Sequence, residues 1–400
     1  MSYYPRFATA LLGTNIARGA YVVGVSWTAL SADNEMAAVG QVLLAAHLAT
    51  FFLSPYVGGI IDRRDRRMCA SVASVWAALV FGGLALLCAE FPDYVTTASL
   101  LVFSFCAALA ALFVGPSEDA VIQALTPKEE RHRIGAQLNI LRQAGMVTGA
   151  GLAGWLVAEW GSATAFALCA AGSLVSAVVI LALPKVKTVQ SPNAIGRWAS
   201  IAEGLKLLST GSGLATALIV AAFAVSVGQV TNALLPAFIK LELGQGSGLY
   251  GAADAAWSVG ALAAAFLTGL YLRRRSAPPN EIALLAILGL CNILFALTAH
   301  TATVVAMHAV LGASFSLVKV VADGRIMMLT PTEYMGRVRS NLASLTSFVA
   351  IGIYIAPTLL QGISAQSLYI AWGGLVIVLS IGLLLMRQVA ARRSAEGLMR

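Results

Sequence analysis

Among the charged or titratable side chains inside the long apolar stretches of this sequence, five stand deepest or have the clearest chemistry: Arg18, His47, Arg142, Asp254 and Lys319. A charge at the centre of a bilayer costs about 2.5–3.5 kcal/mol even on lenient scales, so such groups face a wet cavity or a partner. Their types suggest two chemistries. Arg18, Lys319 and Arg142, with the amides of Asn15, Gln229 and Asn232, could hold a small anion through charge-assisted hydrogen bonds. Asp254 is the deepest carboxylate of the second half, and His47 titrates near neutral pH, so either could carry a proton. Plainer readings stand beside these. Arg142 can snorkel to a surface, His47 can be a hydrogen-bonded packing residue, and Asp254 can pair with a polar neighbour. His308 reads as interfacial, near the outer end of its stretch.

Enzyme chemistry finds no foothold in the sequence. It lacks a Gly-rich phosphate loop, an H-E-x-x-H pair, paired catalytic carboxylates and a serine motif with a base. Cys69, Cys88, Cys106, Cys169 and Cys291 are scattered singly without C-x-x-C, which argues against a disulfide framework or a metal site. No cofactor is expected beyond a proton gradient.

The elements that must position these groups are membrane helices. The chain is 59% hydrophobic and 11% charged, with mean hydropathy +0.83, against roughly 25% charged residues in soluble domains. Twelve apolar runs are long enough to span a bilayer: 7–30, 36–61, 68–91, 95–125, 134–159, 162–183, 211–238, 246–272, 281–300, 302–329, 339–363 and 366–386. Unbroken runs select helices over the alternating pattern of a barrel.

The net charge of +8 does not indicate nucleic acid, because 21 of the 26 Lys and Arg fall before the first run, in alternate loops or after the last. Only Lys240 lies in an opposite loop. This is the positive-inside pattern of a multi-pass protein of the bacterial plasma (inner) membrane with both termini cytoplasmic. The basic flanks then meet anionic lipid headgroups. Met1–Arg6 shows no cleavage-site pattern, so the first run reads as an uncleaved anchor.

A polar segment, 184–210, separates an N-terminal set of six runs (1–183) from a C-terminal set (211–400). Within it, Ile195–Leu208 could form an amphipathic helix. The halves repeat: Asp119, Leu125, Thr126, Pro127, Glu129 and Arg133 recur 204 residues later as Asp323, Leu329, Thr330, Pro331, Glu333 and Arg337. The expected architecture is therefore all-α, with twelve transmembrane helices in two pseudo-symmetric six-helix bundles related by an axis along the membrane normal.

The loop Gly58-Gly-Ile-Ile-Asp62-Arg63-Arg64-Asp65-Arg66-Arg67 resembles the loop between spans two and three of the major facilitator superfamily, which usually has Gly where Asp65 stands. The G-G-x-x-D-R-x-D-R-R version resembles the bacterial exporters that include the enterobactin and macrolide efflux proteins. Gly145-x-x-x-Gly149-Ala150-Gly151-x-Ala153-Gly154 is a run of small residues that lets a neighbouring helix approach closely. It also resembles the fifth-span motif of proton-coupled exporters, which has Pro at the position of Ala150.

The resemblance implies alternating access, with spans one, four, seven and ten lining a cavity. It places Gly58, Asp62, Arg63 and Arg66 in a gate, with Asp62 against the start of span eleven and Arg66 beside Glu118 and Asp119. Asp323, facing Arg273–Arg275, and Arg325 are the counterparts in the second half. The expected function is proton-antiport export of a small anionic metabolite, a carboxylate siderophore being favoured, by a monomer whose partners are that substrate and lipid. Multidrug or macrolide efflux is the alternative, and the fourth span lacks the arginine of many drug–proton antiporters. A transporter-like sensor or partner-binding membrane subunit is the reading from another class.

Overall fold

The structure, a computed structural model, describes residues 3–127, 130–185, 213–274, 279–330 and 335–398. Each apolar run becomes a helix: α1 Tyr4–Asp33, α2 Met36–Arg63, α3 Arg66–Glu90, α4 Thr97–Leu125, α5 Arg131–Trp160 and α6 Ser162–Leu181, then α7 Leu214–Ala237, α8 Ser247–Arg274, α9 Glu281–Ala296, α10 Thr301–Leu329, α11 Met335–Leu359 and α12 Ala365–Leu398. No strand occurs among the described residues. The interhalf segment 186–212, with the expected helix Ile195–Leu208, lies outside them.

Local chemistry sets the helix ends. Asp65 caps α3, its carboxylate accepting from the Arg67 backbone N–H at 3.0 Å. Thr96 and Ser99 form a reciprocal capping box at α4. The repeated Leu-Thr-Pro ends both α4 and α10. Proline disfavours helical backbone in the residue before it, and Thr126 (φ −104°, ψ 125°) and Thr330 (φ −104°, ψ 120°) adopt nearly the same extended geometry. The sequence repeat is thus a repeat of a helix stop.

The halves pack alike, pair by pair. α1 on α5, α2 on α4 and α3 on α6 are matched by α7 on α11, α8 on α10 and α9 on α12. Residues 214–237 of α7 include no exposed position, as befits a central helix. The outer helices turn large apolar side chains outward, among them Leu79 (67% exposed) and Val178 (61%), which suits lipid rather than water. Among the described residues, nine helices are apolar and long enough by themselves to cross a membrane. α9 is shorter, and the two long helices that fall short are α1 and α5, which carry Arg18 and Arg142.

Candidate functional site: a cleft between the bundles

The bundles meet along α5–α8, α2–α11 and, more lightly, α1–α7. A Cβ added to Gly154 of α5 would lie 2.8 Å from the Ser247 carbonyl oxygen of α8 and against the Gly251 backbone. The two helices therefore touch backbone to backbone. Gly40 of α2 abuts the Tyr354 carbonyl of α11, and the Gln41 amide donates to the Thr358 hydroxyl at 3.3 Å. Trp27 of α1 stacks on Tyr250 of α8, centroids 6.1 Å apart, and Lys240 lies over Trp27 and donates to Ser31. All these contacts lie in the half away from the basic loops. These contacts hold the bundles together at the end away from the basic loops.

Arg18 is the one exposed residue between Ala10 and Leu30, although α1 is enclosed by α2, α5, α6 and α7. Exposure there means a wet interior. It has no hydrogen-bond or ion-pair partner among the described residues, and its charged neighbours are Arg142 and His47. Arg142 of α5 is ion-paired to Asp119 of α4. His47 Nδ1–H donates to the Leu43 carbonyl of its own helix, 3.0 Å away, and its ring lies 4.7 Å from that of Tyr354. The Tyr354 hydroxyl in turn donates to Gln229 of α7 and neighbours Asn232. Sequence reasoning brought together Arg18, Arg142, His47, Gln229 and Asn232 by depth. Tyr354 was not anticipated, because a tyrosine in an apolar run carries no signal of which way it points.

Several expectations change. Asn15 is buried in the α1–α5 seam against Gly145, its amide donating to the Leu11 carbonyl at 2.7 Å, so it does not face the cleft. Lys319 is not a free cation: Asp323, one turn away, accepts from it at 2.7 Å and from Arg339 of α11 at 2.7 Å. Asp323 therefore already holds two cations. The expected Arg273–Arg275 side chains lie outside the described residues. Arg325 pairs with Glu281 at 3.1 Å, at the start of α9 within the C-terminal bundle. His308 is buried in a ring cluster with Trp257 and Phe295, its Nδ1 2.5 Å from the Ala253 carbonyl, rather than interfacial. Asp254 is half-buried on α8 with no hydrogen-bond or ion-pair partner among the described residues.

In the loop after α2, Arg63 is exposed at the helix end and Arg66 opens α3. Gly58 and Asp62 lie on α2, but the Asp62 side chain and its expected contact with span eleven are outside the description. Asp119 is paired to Arg142 here rather than to Arg66, and Glu118 points into its own bundle, toward Thr14 and Ser176. Arg67, unremarked in the sequence, donates to the Leu181 and Leu183 carbonyls at 3.1 and 2.8 Å, closing the C-terminal end of α6. Gly145 and Gly149 admit α1, and Gly154 admits α8. Among the described residues no cluster of His, Cys, Asp and Glu could hold a metal ion.

The sequence profile of the Major Facilitator Superfamily matches residues 7–349. The chain belongs to that superfamily. It is a multi-pass membrane transporter and not an enzyme. It is 24% identical over 368 residues to the uncharacterized MFS-type transporter YfiS of Bacillus subtilis (strain 168), covering 88% of this chain and 85% of that protein. Its fold is similar to those of the nucleoside transporter NupG (D323A mutant; TM-score 0.77, 13% identity, 96% of this chain and 99% of that one) and the D-xylose-proton symporter (TM-score 0.73, 13% identity, 95% and 96%). A POT family transporter in complex with 5-aminolevulinic acid is also similar (TM-score 0.74, 13% identity, 96% and 95%).

Proposed function

We propose that this transporter exports a small anionic metabolite by alternating access, with the basic end cytoplasmic and inward proton flow as the driving force. The observation that carries the anion is Arg18, an exposed arginine in an enclosed helix with no carboxylate partner among the described residues. Arg142 is balanced by Asp119, and Lys319 and Arg339 share one carboxylate, so the cleft retains positive charge, which attracts anions in a cleft of low polarity. A carboxylate siderophore is the favoured class and a neutral macrolide or cationic drug the lesser one. Asp254, without a hydrogen-bond or ion-pair partner among the described residues, and His47, beside Arg18, are the proposed proton-coupling groups. The loop Gly58–Arg66 and Asp119, Asp323 and Arg325 act at the gate.

Transport into inside-out vesicles tests this reading. A carboxylate-bearing siderophore should accumulate when the vesicle interior is acid, and collapsing the pH gradient should abolish accumulation. Uptake indifferent to the gradient would remove antiport. Absence of any transport, with retained binding, would favour the sensor reading.

A further inference from the structure

Glu118, in the half of α4 nearer the basic loops, is only 5% exposed. It touches two hydroxyls from other helices: Thr14 Oγ1 of α1 lies 2.6 Å from its Oε1, and Ser176 Oγ of α6 lies 3.1 Å from the same oxygen. Thr14 and Ser176 are themselves 2.8 Å apart. Three oxygens thus form a closed triangle, each edge at hydrogen-bond distance.

Each edge needs a hydrogen, and each hydroxyl owns one. Hydroxyls inside membrane helices commonly bond back to the carbonyl four residues earlier, as Thr28, Thr50, Thr268, Thr346 and Ser380 do in this chain. Thr14 and Ser176 make no such bond, so both their hydrogens belong to the triangle. Two hydrogens serve two edges. An ionised carboxylate can only accept, which leaves the third edge without a donor.

We propose that Glu118 supplies the third hydrogen: it is a proton-binding site of the transporter, occupied in this conformation. The carboxyl O–H donates to Ser176, Ser176 to Thr14, and Thr14 back to Glu118, so every hydroxyl donates once. The charged groups facing Glu118 are Arg142 of α5 and Asp119, its neighbour on α4. α1 and α6 present the two hydroxyls. On its other side Glu118 lines a shallow crevice otherwise walled by apolar residues including Phe7, Leu11, Val121, Ile122 and Ile180. With the proton bound, Arg142 answers to Asp119 alone. With the proton gone, a second negative charge competes for that guanidinium at the wall of the cleft. The site lies in the opposite bundle from Asp254, and its existence requires neither the substrate class nor the direction of transport proposed above.

Infrared spectroscopy of the purified, lipid-reconstituted full chain across a pH series reads the carboxyl directly, without substrate. Wild type should show a protonated-carboxyl carbonyl band, shifted by exchange into D2O, that Glu118→Gln removes and Asp119→Asn retains. The double variant Thr14→Val/Ser176→Ala keeps the carboxyl but breaks the triangle, and should move the same band to higher frequency. That variant decides the matter if Glu118→Gln does not insert. Wild-type spectra unchanged by Glu118→Gln, or a band unmoved in the double variant, would overturn the assignment.

Discussion

Arg18 and Lys319 are the same distance from water by sequence depth, yet they differ in what already surrounds them. Lys319 spends its charge on Asp323 at 2.7 Å, whereas Arg18 has no anionic partner among the described residues. Removing an unshared cation from a substrate site forfeits about 1.5–3 kcal/mol of charge-assisted bonding, or about ten- to a hundred-fold in affinity. Arg18→Ala should therefore weaken anionic-substrate binding by that factor with insertion unchanged. Lys319→Ala should cost only about threefold, because Arg339 keeps Asp323 neutralised and half-exposed pairs are worth little. Equal losses in binding titrations of the two variants would contradict this ranking. Sequence depth could locate both cations. It could not show that Asp119 lies beside Arg142, because those residues sit 23 positions apart on separate helices.

At the scale of helices, α5 serves two masters with one small-residue run. Gly145 and Gly149 hold α1 inside the N-terminal bundle, while Gly154 faces α8 of the other bundle. Gly154→Leu should thus leave each bundle folded but wedge them apart at the far end. A cysteine at Gln41, at the far end of the α2–α11 contact, should then become several-fold more reactive to a reagent added from that side. Gly149→Leu should instead lower the yield of folded protein, since its side chain would collide with the Ile16 and Ala20 backbone. Unchanged Gln41→Cys reactivity in Gly154→Leu would mean that the glycine contact does not hold the far end shut. The close-packing run was legible because small residues four apart share a face. Which glycine meets which helix was not, and neither was the inward turn of Asn15. Helices apolar on every side lack a polar face to fix their rotation.

For the whole molecule, the alternation of basic and neutral loops and the 204-residue repeat carried the architecture, because bilayer thickness and helix stops are written locally. Cysteines introduced in 62–67 and 273–278 should label only from the cytoplasm, and one near Asp33 only from outside. Labelling of either basic segment from outside would invert the transporter and the sense of its cleft. The proton site was harder to read: Thr14, Glu118 and Ser176 are separated by 104 and 58 positions, and only the packing of α1, α4 and α6 makes them one group.

The bare crossing of Gly154 on Gly251 also bears on how fast the molecule can work. Parting two leucine-filled surfaces exposes apolar area at about 25 cal/mol per Å² and requires interlocked side chains to change rotamer. Two glycine backbones have no rotamers to release and little apolar area to wet. At this crossing the two helices can therefore part and close again over a low barrier. On the proposed gate, opening toward the other side of the membrane depends on the charges at the basic end, so turnover should respond to ionic strength and pH more steeply than to changes in apolar bulk at this crossing.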